Sequence, residues 1–144
     1  MSLVCTATEC VGPKTGEVRG TVAACTDNAG YAMLGWQVNQ PEDGGAMGGW
    51  PMPAAGGITL TFTNPDEAPT RLWLFDANRN GWCAPLVSGV EVLWSTFVTE
   101  CWPGGTQTPI DMGHLIQSVG LSVIGNDWQA TPFDICLENI TLEP

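Results

Sequence analysis

Short runs of alternating apolar and polar residues, separated by turn-forming residues, constrain the fold of this chain more than any other feature. No segment longer than a few residues combines a helical period with helix caps. Turn signals such as Asn64-Pro65-Asp66 and Asn80-Gly81 separate the runs. Strands are predicted at residues 17–26, 31–40, 57–63, 71–76, 90–94, 116–124 and 133–142. The pattern predicts an all-β fold, an antiparallel two-sheet β-sandwich of the jelly-roll type stabilised by disulfides.

The length of the chain, 144 residues, is typical of one domain. We expect residues 17–144 to form the sandwich and residues 1–16 to be an N-terminal extension packed on it. No apolar stretch approaches the length that a membrane-spanning helix requires.

The six cysteines form an even set, which favours disulfide bonds. No C-x-x-C pair occurs, and the single His114 cannot complete a usual zinc quartet. Sequence alone does not choose the connectivity; the pairs that we predict are Cys83–Cys101, Cys25–Cys136 and Cys5–Cys10. Disulfides indicate an oxidising compartment, so we expect a secreted, extracellular protein.

Tryptophan and charge are both unusual in this chain. Seven tryptophans are more than the core of one such domain needs, and the formal net charge is −11, with 15 acidic residues and 4 basic ones. Such a charge argues against binding to nucleic acid and to anionic membranes, because no basic stripe is present to neutralise phosphates. Indole rings are flat apolar surfaces with one polar edge. Together these features favour a neutral, flat, hydroxylated ligand such as a sugar.

Two predicted strands carry candidate contact residues. In strand 71–76, Leu72 and Leu74 share the core face, which places Trp73 with Arg71 on the outer face. The reverse assignment, or burial of both faces, remains an alternative. In strand 31–40, Trp36 lies on the apolar side, while Gln37 and Asn39 project outward, where amides can bond sugar hydroxyls. A plain solvated strand face is the alternative reading of those amides.

The other tryptophans divide by context. Trp94 and Trp102 are predicted to be structural, since tryptophan packed on a disulfide is common in sandwich cores. Trp82 is open to either reading, and Trp128 lies in a polar loop, which favours exposure at a binding site. The segment 41–57, rich in Gly and Pro, either carries ligand contacts or folds Trp50 back as a lid.

Carboxylates raise the possibility of calcium and of catalysis. Residues 76–81 match the first half of a calcium loop, but Val87 stands where a bidentate Glu is required. One structural Ca²⁺ bound by Asp27, Asn28 and Glu138 is the other possibility. A glycoside hydrolase needs two carboxylates at a fixed separation; Glu91, Glu100 and Asp111 lie near predicted elements, yet none lies in a recognisable motif.

Several segments together resemble jelly-roll carbohydrate-binding modules appended to secreted bacterial endoglucanases. These segments are residues 35–40 (GWQVNQ), 74–78 (LFDAN), 82–86 (WCAPL), 94–97 (WSTF), 101–102 (CW) and 132–140 (PFDICLENI). The resemblance implies a concave groove, lined by aromatic rings and amides, that holds a β-glucan chain. It also implies a structural calcium away from the groove, although Glu138 stands where many relatives have Asp.

The sequence therefore predicts a non-catalytic module that binds β-glucans of the cellulose, mixed-linkage glucan or xyloglucan type. The module would direct a covalently linked catalytic domain to polysaccharide, with no role for nucleic acid or membrane. The alternatives are a small secreted hydrolase and an adhesion or coat domain. The predicted ligand-binding residues are Trp36, Trp73, Trp82, Trp128, Gln37, Asn39, Asn78 and Gln129.

Overall fold

The computed structural model describes residues 3–6, 16–22, 31–38, 41, 43–45, 48–126 and 129–143, with the backbone alone for 3–6 and 16–20. The chain forms strands and a single 3₁₀ turn, Trp94–Thr96, within these ranges. The strands are β1 Leu3–Thr6, β2 Gly16–Val22, β3 Tyr31–Gln37, β4 Trp50–Pro51, β5 Gly57–Thr63, β6 Thr70–Phe75, β7 Gly81–Pro85, β8 Glu91–Leu93, β9 Leu115–Ile116, β10 Ser118–Ile124 and β11 Thr131–Glu143.

Two antiparallel sheets form the sandwich. One has the order β1-β2-β11-β5-β8 and the other the order β3-β10-β6-β7. When β1 and the short pair β4 and β9 are set aside, the first, eighth, third and sixth strands form one sheet. The second, seventh, fourth and fifth form the other. This alternation between sheets is the jelly-roll order, so the predicted fold class is confirmed.

The core lies between the two sheets and follows the alternation of the strands. Leu72 and Leu74 of β6 are fully buried, while the alternate residues Arg71, Trp73 and Phe75 are half-buried on the other side. The inner faces of the neighbouring strands supply further fully buried side chains: Ile58, Leu60, Leu121, Ile135 and Leu137. The face assignment predicted for strand 71–76 is therefore confirmed.

The segment 41–57 contributes to the core rather than forming an open loop along its whole length. Trp50 begins β4, which pairs with β9, and its ring packs edge-on against Trp94 with centroids 5.1 Å apart. Met52 is buried, and its N–H donates to the carbonyl of His114. Of the two readings of this segment, the structure supports the one in which Trp50 folds back onto the sandwich.

The predicted strands largely correspond to observed ones, with two kinds of difference. The structure contains β1, β4 and β7, which were not predicted. β4 is only two residues long, and both β4 and β7 end in proline. The predicted strand 116–124 is divided into β9 and β10 at Gln117, whose N–H bonds the carbonyl of Phe75. In the described residues no helix has the length and apolarity needed to cross a membrane.

Disulfide bonding agrees in part with the predicted pairs. Cys83 on β7 is bonded to Cys101, as predicted. Cys136 on β11 is also in a disulfide, with a partner outside the described side chains. Cys10 and Cys25 lie outside the described residues, and Cys5 is described by its backbone alone, so the pairings predicted for them stay predictions.

Candidate functional site

The outer face of the four-stranded sheet is built from three rows of side chains that cross its strands. In the ladders, Phe75 and Gln37 both pair with Ser118, and Trp73 and Gly35 both pair with Gly120. Residues paired in this way project to the same side of a sheet. The rows are Gln37, Ser118, Phe75 and Gly81; Gly35, Gly120, Trp73 and Cys83; and Met33, Ser122, Arg71 and Pro85.

Three aromatic rings on this face form a contiguous surface, which we call the aromatic platform: Phe75, Trp73 and Trp102. The rings of Trp73 and Phe75 are nearly parallel, with 5.6 Å between centroids, and the ring of Trp102 lies 6.5 Å from that of Trp73. The indole N–H of Trp73 donates to Ser122 Oγ at 2.9 Å. This bond satisfies the polar edge of Trp73 and fixes its ring on the sheet.

Trp102 is the most exposed member of the platform, at 36% of its full accessibility. It lies in the loop between Glu100 and Gln107, and both of these non-glycine residues have positive φ values, 46° and 52°. Such backbone conformations cost of order 1–3 kcal/mol each and persist only where the surroundings enforce them. The surrounding structure therefore fixes the conformation of the loop between Glu100 and Gln107.

Hydrogen bonds within that loop hold Trp102 in place. The N–H of Thr106 donates to Glu100 Oε2 at 2.8 Å, and the N–H of Gly105 donates to the carbonyl of Trp102. A Cβ on Gly105 would collide with the carbonyl oxygen of Glu100, so only glycine fits there. The loop is therefore ordered before any ligand arrives.

The disulfide between Cys83 and Cys101 tethers the loop to the edge strand β7. Cys83 pairs with Trp73 in the ladder, and Trp102 directly follows Cys101. The prediction that Trp102 is a structural residue of the core is therefore wrong. The bridge anchors the start of the loop on the outer face, so the ring that follows lies over that face rather than between the sheets.

Beside the platform, part of the face is covered by side chains and part is open. Met33 Sδ and Phe75 lie over Gly120, where a Cβ would be 2.7 Å from the sulfur. A Cβ on Gly35 would meet only one backbone oxygen, 3.7 Å away, so the surface there is open. Gln37 is exposed at the end of β3 next to this gap. An amide at this position offers both a donor and an acceptor to a ligand beside the platform.

Trp36 and Trp82, predicted as contact residues, lie on the opposite side of the sheet from Trp73. Trp36 pairs with Val119, and Trp82 pairs with Leu74; both partners face the core. Both rings are half-buried and pack against the core. Among the predicted contact residues that lie in the described ranges, the structure therefore brings only Trp73 and Gln37 together on the outer face.

The remaining predicted contact residues are spread over the ends of the sheet. Asn78 is exposed in the turn after β6, and Gln129 is exposed in the connection from β10 to β11, at the opposite end. The backbone N–H groups of these residues donate to Asp76 and Asn126 respectively. The predictions for Trp128 and Asn39 lie outside the described residues.

Asp76 organises the turn that resembles half of a calcium loop. Its carboxylate accepts hydrogen bonds from the N–H groups of Asn78 and Asn80, from the Asn80 amide, and pairs with His114 Nε2 at 3.0 Å. Burial acts to raise the pKa of Asp76, but the bonds from Asn80, His114 and Asn78 outweigh it and lower the pKa. These contacts explain the Asp-x-Asn-x-Asn-Gly pattern as a hydrogen-bonded turn.

The predicted calcium ligands are only partly described. Glu138 is exposed and lies at a register shift between Leu137 and Asn139 in β11. Asp27 and Asn28 lie outside the described residues. Within the ranges given above, no group of three or more His, Cys, Asp or Glu side chains could hold a metal ion. Calcium at these positions stays a prediction.

Glu100 was one of the acids considered for hydrolysis. The backbone N–H of Thr106 and then its hydroxyl lower the pKa of this exposed carboxyl. A glycosidase acid requires the opposite shift, because it must hold its proton near neutral pH. Glu100 is therefore suited to shaping the Trp102 loop and unsuited to general acid catalysis.

Sequence reasoning did not select Phe75, Trp102, Arg71 or Met33 as members of the site. Phe75 and Arg71 share the period-two parity of Trp73, which places them on the same face, but neither was taken as a contact residue. Nothing local predicts that Met33 reaches over Gly120, since that contact joins β3 to a strand far along the chain. Trp102 depends on a loop geometry that no sequence pattern specifies.

Comparisons with known proteins do not assign this chain to a family. No protein family and no curated protein matches the chain. Among solved structures it is similar to the crystal structure of an agarase, AgWH50C, with 13% identity and a TM-score of 0.47, covering 99% of this chain and 22% of that one. It is also similar to PfGH50B, with 12% identity and a TM-score of 0.47, covering 99% and 23%. The chain thus spans less than a quarter of either structure, and so low a similarity supports no conclusion about function.

Proposed function

We propose that this domain is a non-catalytic carbohydrate-binding module that binds β-glucan chains on the aromatic platform. The observation that carries the proposal is the exposed ring of Trp102, which extends the row formed by Trp73 and Phe75. Exposed contiguous apolar surface on a small domain commonly marks a binding site. The occupant that fits is a chain of uncharged pyranose rings.

The physical basis is burial of apolar surface combined with hydrogen bonding at the edges. A pyranose presents axial C–H groups on its faces and hydroxyls around its rim. The C–H faces can be buried against indole rings, while rim hydroxyls can bond the amide of Gln37. Because each such bond replaces one to water, its net contribution is about 0.5–1.5 kcal/mol. Affinity then depends mainly on the rings.

The fixed position of Trp102 also supports glycan binding on the aromatic platform. The tether through Cys101 and the bonds between Glu100 and Thr106 hold Trp102 before binding. A ring already fixed in place loses little conformational freedom when a ligand stacks on it. A loop that served only as a connection would have no need of two residues with positive φ.

The proposal includes an extracellular setting and an attached catalytic domain. Disulfides form and persist in oxidising compartments, in which polysaccharides of cell walls are met. A tethered module raises the effective concentration of polymer at the catalytic domain without taking part in the reaction.

Affinity gel electrophoresis against cellulose derivatives, mixed-linkage glucan, xyloglucan, xylan and mannan tests the proposal. We expect retardation by at least one β-glucan, and loss of about tenfold or more in affinity on Trp102→Ala. Leu93→Ala is the matched control, since Leu93 is exposed on β8 of the other sheet. Retardation should survive that change.

Two results would refute the proposal. One is migration unchanged by every polymer, and the other is retardation that Trp102→Ala leaves intact. Release of reducing sugars from the polymer that binds would instead support the hydrolase.

A further inference from the structure

Arg71 lies at the edge of the aromatic platform. It is on the outer face of β6, two residues before Trp73, and its guanidinium carbon is 5.5 Å from the centroid of the Trp102 ring. This distance and placement are those of a cation–π contact. The side chain is half-buried, and burial lowers the pKa of Arg71 although the group stays charged.

This guanidinium has no carboxylate partner in the part of the chain that the structure describes, where the ion pair present is His114 with Asp76. Its row neighbours on the sheet are uncharged: Ser122, Met33 and Pro85. The chain has 15 acidic residues for 4 Lys and Arg, so a counter-charge would have been easy to supply. A partly desolvated cation that has an aromatic ring but no anion beside it gains from an anionic group that a ligand supplies.

We propose that Arg71 binds an anionic substituent, a carboxylate or a sulfate ester, on the glycan whose rings lie on the platform. This inference rests on the function proposed above and narrows its ligand. The guanidinium offers a planar fork of N–H donors, which matches the paired oxygens of either group. Contact with Trp102 holds the fork at the platform edge, so a sugar ring over Trp102 and its acidic group are recognised together.

The net charge of the chain limits how many acidic groups a bound glycan can carry. With a formal net charge of −11, the protein repels a polymer that bears a charge on every residue. One cation beside an uncharged platform fits a mainly neutral β-linked chain with sparse acidic substituents. A densely sulfated polymer or a polyuronate does not fit.

The test compares matched polymers that differ only in the acidic group. Lightly carboxymethylated and unmodified hydroxyethylcellulose make one pair; lightly sulfated and unmodified hydroxyethylcellulose make the other. We expect the wild type to bind the acidic member of at least one pair about tenfold more tightly. The pair that shows the preference distinguishes carboxylate from sulfate.

Three variants assign that preference to Arg71. Arg71→Gln should abolish it, Arg71→Lys should retain part of it because the charge remains without the fork, and Arg79→Gln should leave it intact. Arg79 is exposed in the turn after β6, so its loss removes the same charge away from the platform. Thermal unfolding of each variant checks folding, and Arg71→Lys keeps the test valid if Arg71→Gln unfolds.

Equal affinity for both members of both pairs would overturn the inference, as would a preference that survives Arg71→Gln. If the neutral members still bind and depend on Trp102, the proposed function stands while the inference fails. If no polymer binds, both fail.

Discussion

Two aromatic clusters in this domain contain the same kinds of residue and have opposite relations to solvent. Trp94 and Phe97, at 2% and 0% exposure, form a sealed cluster, and the half-buried ring of Trp50 packs edge-on against Trp94. Trp73, Phe75 and Trp102 form the platform on the outer face. Both clusters place rings about as close to one another, so ring proximity does not separate them.

The difference lies in what covers the rings. In the sealed cluster, the indole N–H of Trp94 donates to the carbonyl of Glu143, and Met52 and Ile116 are buried nearby in the same core. On the platform, Ser122 satisfies the N–H of Trp73, but Trp102 stays 36% exposed to water. One cluster therefore holds the sheets together, whereas the other leaves apolar area to be buried by a ligand.

The largest expected effect belongs to the sealed cluster. Trp94→Ala removes a fully buried ring and leaves a cavity, so we expect the free energy of unfolding to fall by about 3–5 kcal/mol. Urea denaturation followed by circular dichroism measures this loss. The affinity of the folded fraction for glycan should not change. A loss below about 1 kcal/mol would show that the two clusters do not differ as described.

Removal of the Cys83–Cys101 bridge should affect both stability and binding. The double variant Cys83→Ala/Cys101→Ala opens a loop closed over a separation of 18 residues, which corresponds to about 3 kcal/mol of unfolding free energy. Glycan affinity should also fall, because Trp102 loses its tether. The variant is preferable to a reductant, since Cys136 is also in a disulfide. Unchanged affinity in a folded variant would mean that the loop needs no tether.

A smaller effect is expected at Asp76, which lies next to the platform. It directly follows Phe75 of the platform and pairs with His114, whose ring packs on Trp82. Asp76→Asn weakens charge-assisted hydrogen bonds, so we expect a loss of about 1–3 kcal/mol in unfolding free energy at neutral pH.

The pH dependence of that loss has a definite sign. The pKa of Asp76 is lower in the folded protein than its ordinary value of 3.8. Stabilisation from the carboxylate is thus present above that ordinary value and disappears as pH falls through the folded pKa. The difference between wild type and Asp76→Asn, measured by denaturation at pH 7 and at pH 3, should shrink at the lower pH. A difference that grows with acidity would contradict the assigned bonds.

How far the sequence leads depends on whether a feature is local. The parity of Leu72, Trp73 and Leu74 within one strand was enough to place Trp73 outside, because side chains alternate by backbone geometry. The jelly-roll class likewise followed from short runs and turns. The same alternation assigned Trp36 to the apolar side of its strand, and its half-buried ring does pack against the core.

The parts that sequence reasoning missed depend on contacts between distant segments. Trp102 was assigned to the core because it neighbours a cysteine, but the disulfide carries its loop outward over β7. Asn78 and Gln129 are turn residues whose separation becomes visible only when β6 and β10 are seen to run antiparallel. Trp50 packs against the sealed cluster through pairing of β4 with β9, a ladder of two residues that no pattern predicts.

An NMR titration of the tryptophan indole N–H signals tests the central distinction most directly. The ligand is a hexasaccharide from the polymer that gives the strongest retardation, and single Trp→Phe variants assign the signals. We predict that Trp102 and Trp73 shift as ligand is added, while Trp94 and Trp50 stay in place. Shifts confined to Trp94 and Trp50, with Trp102 unmoved at saturation, would contradict the account.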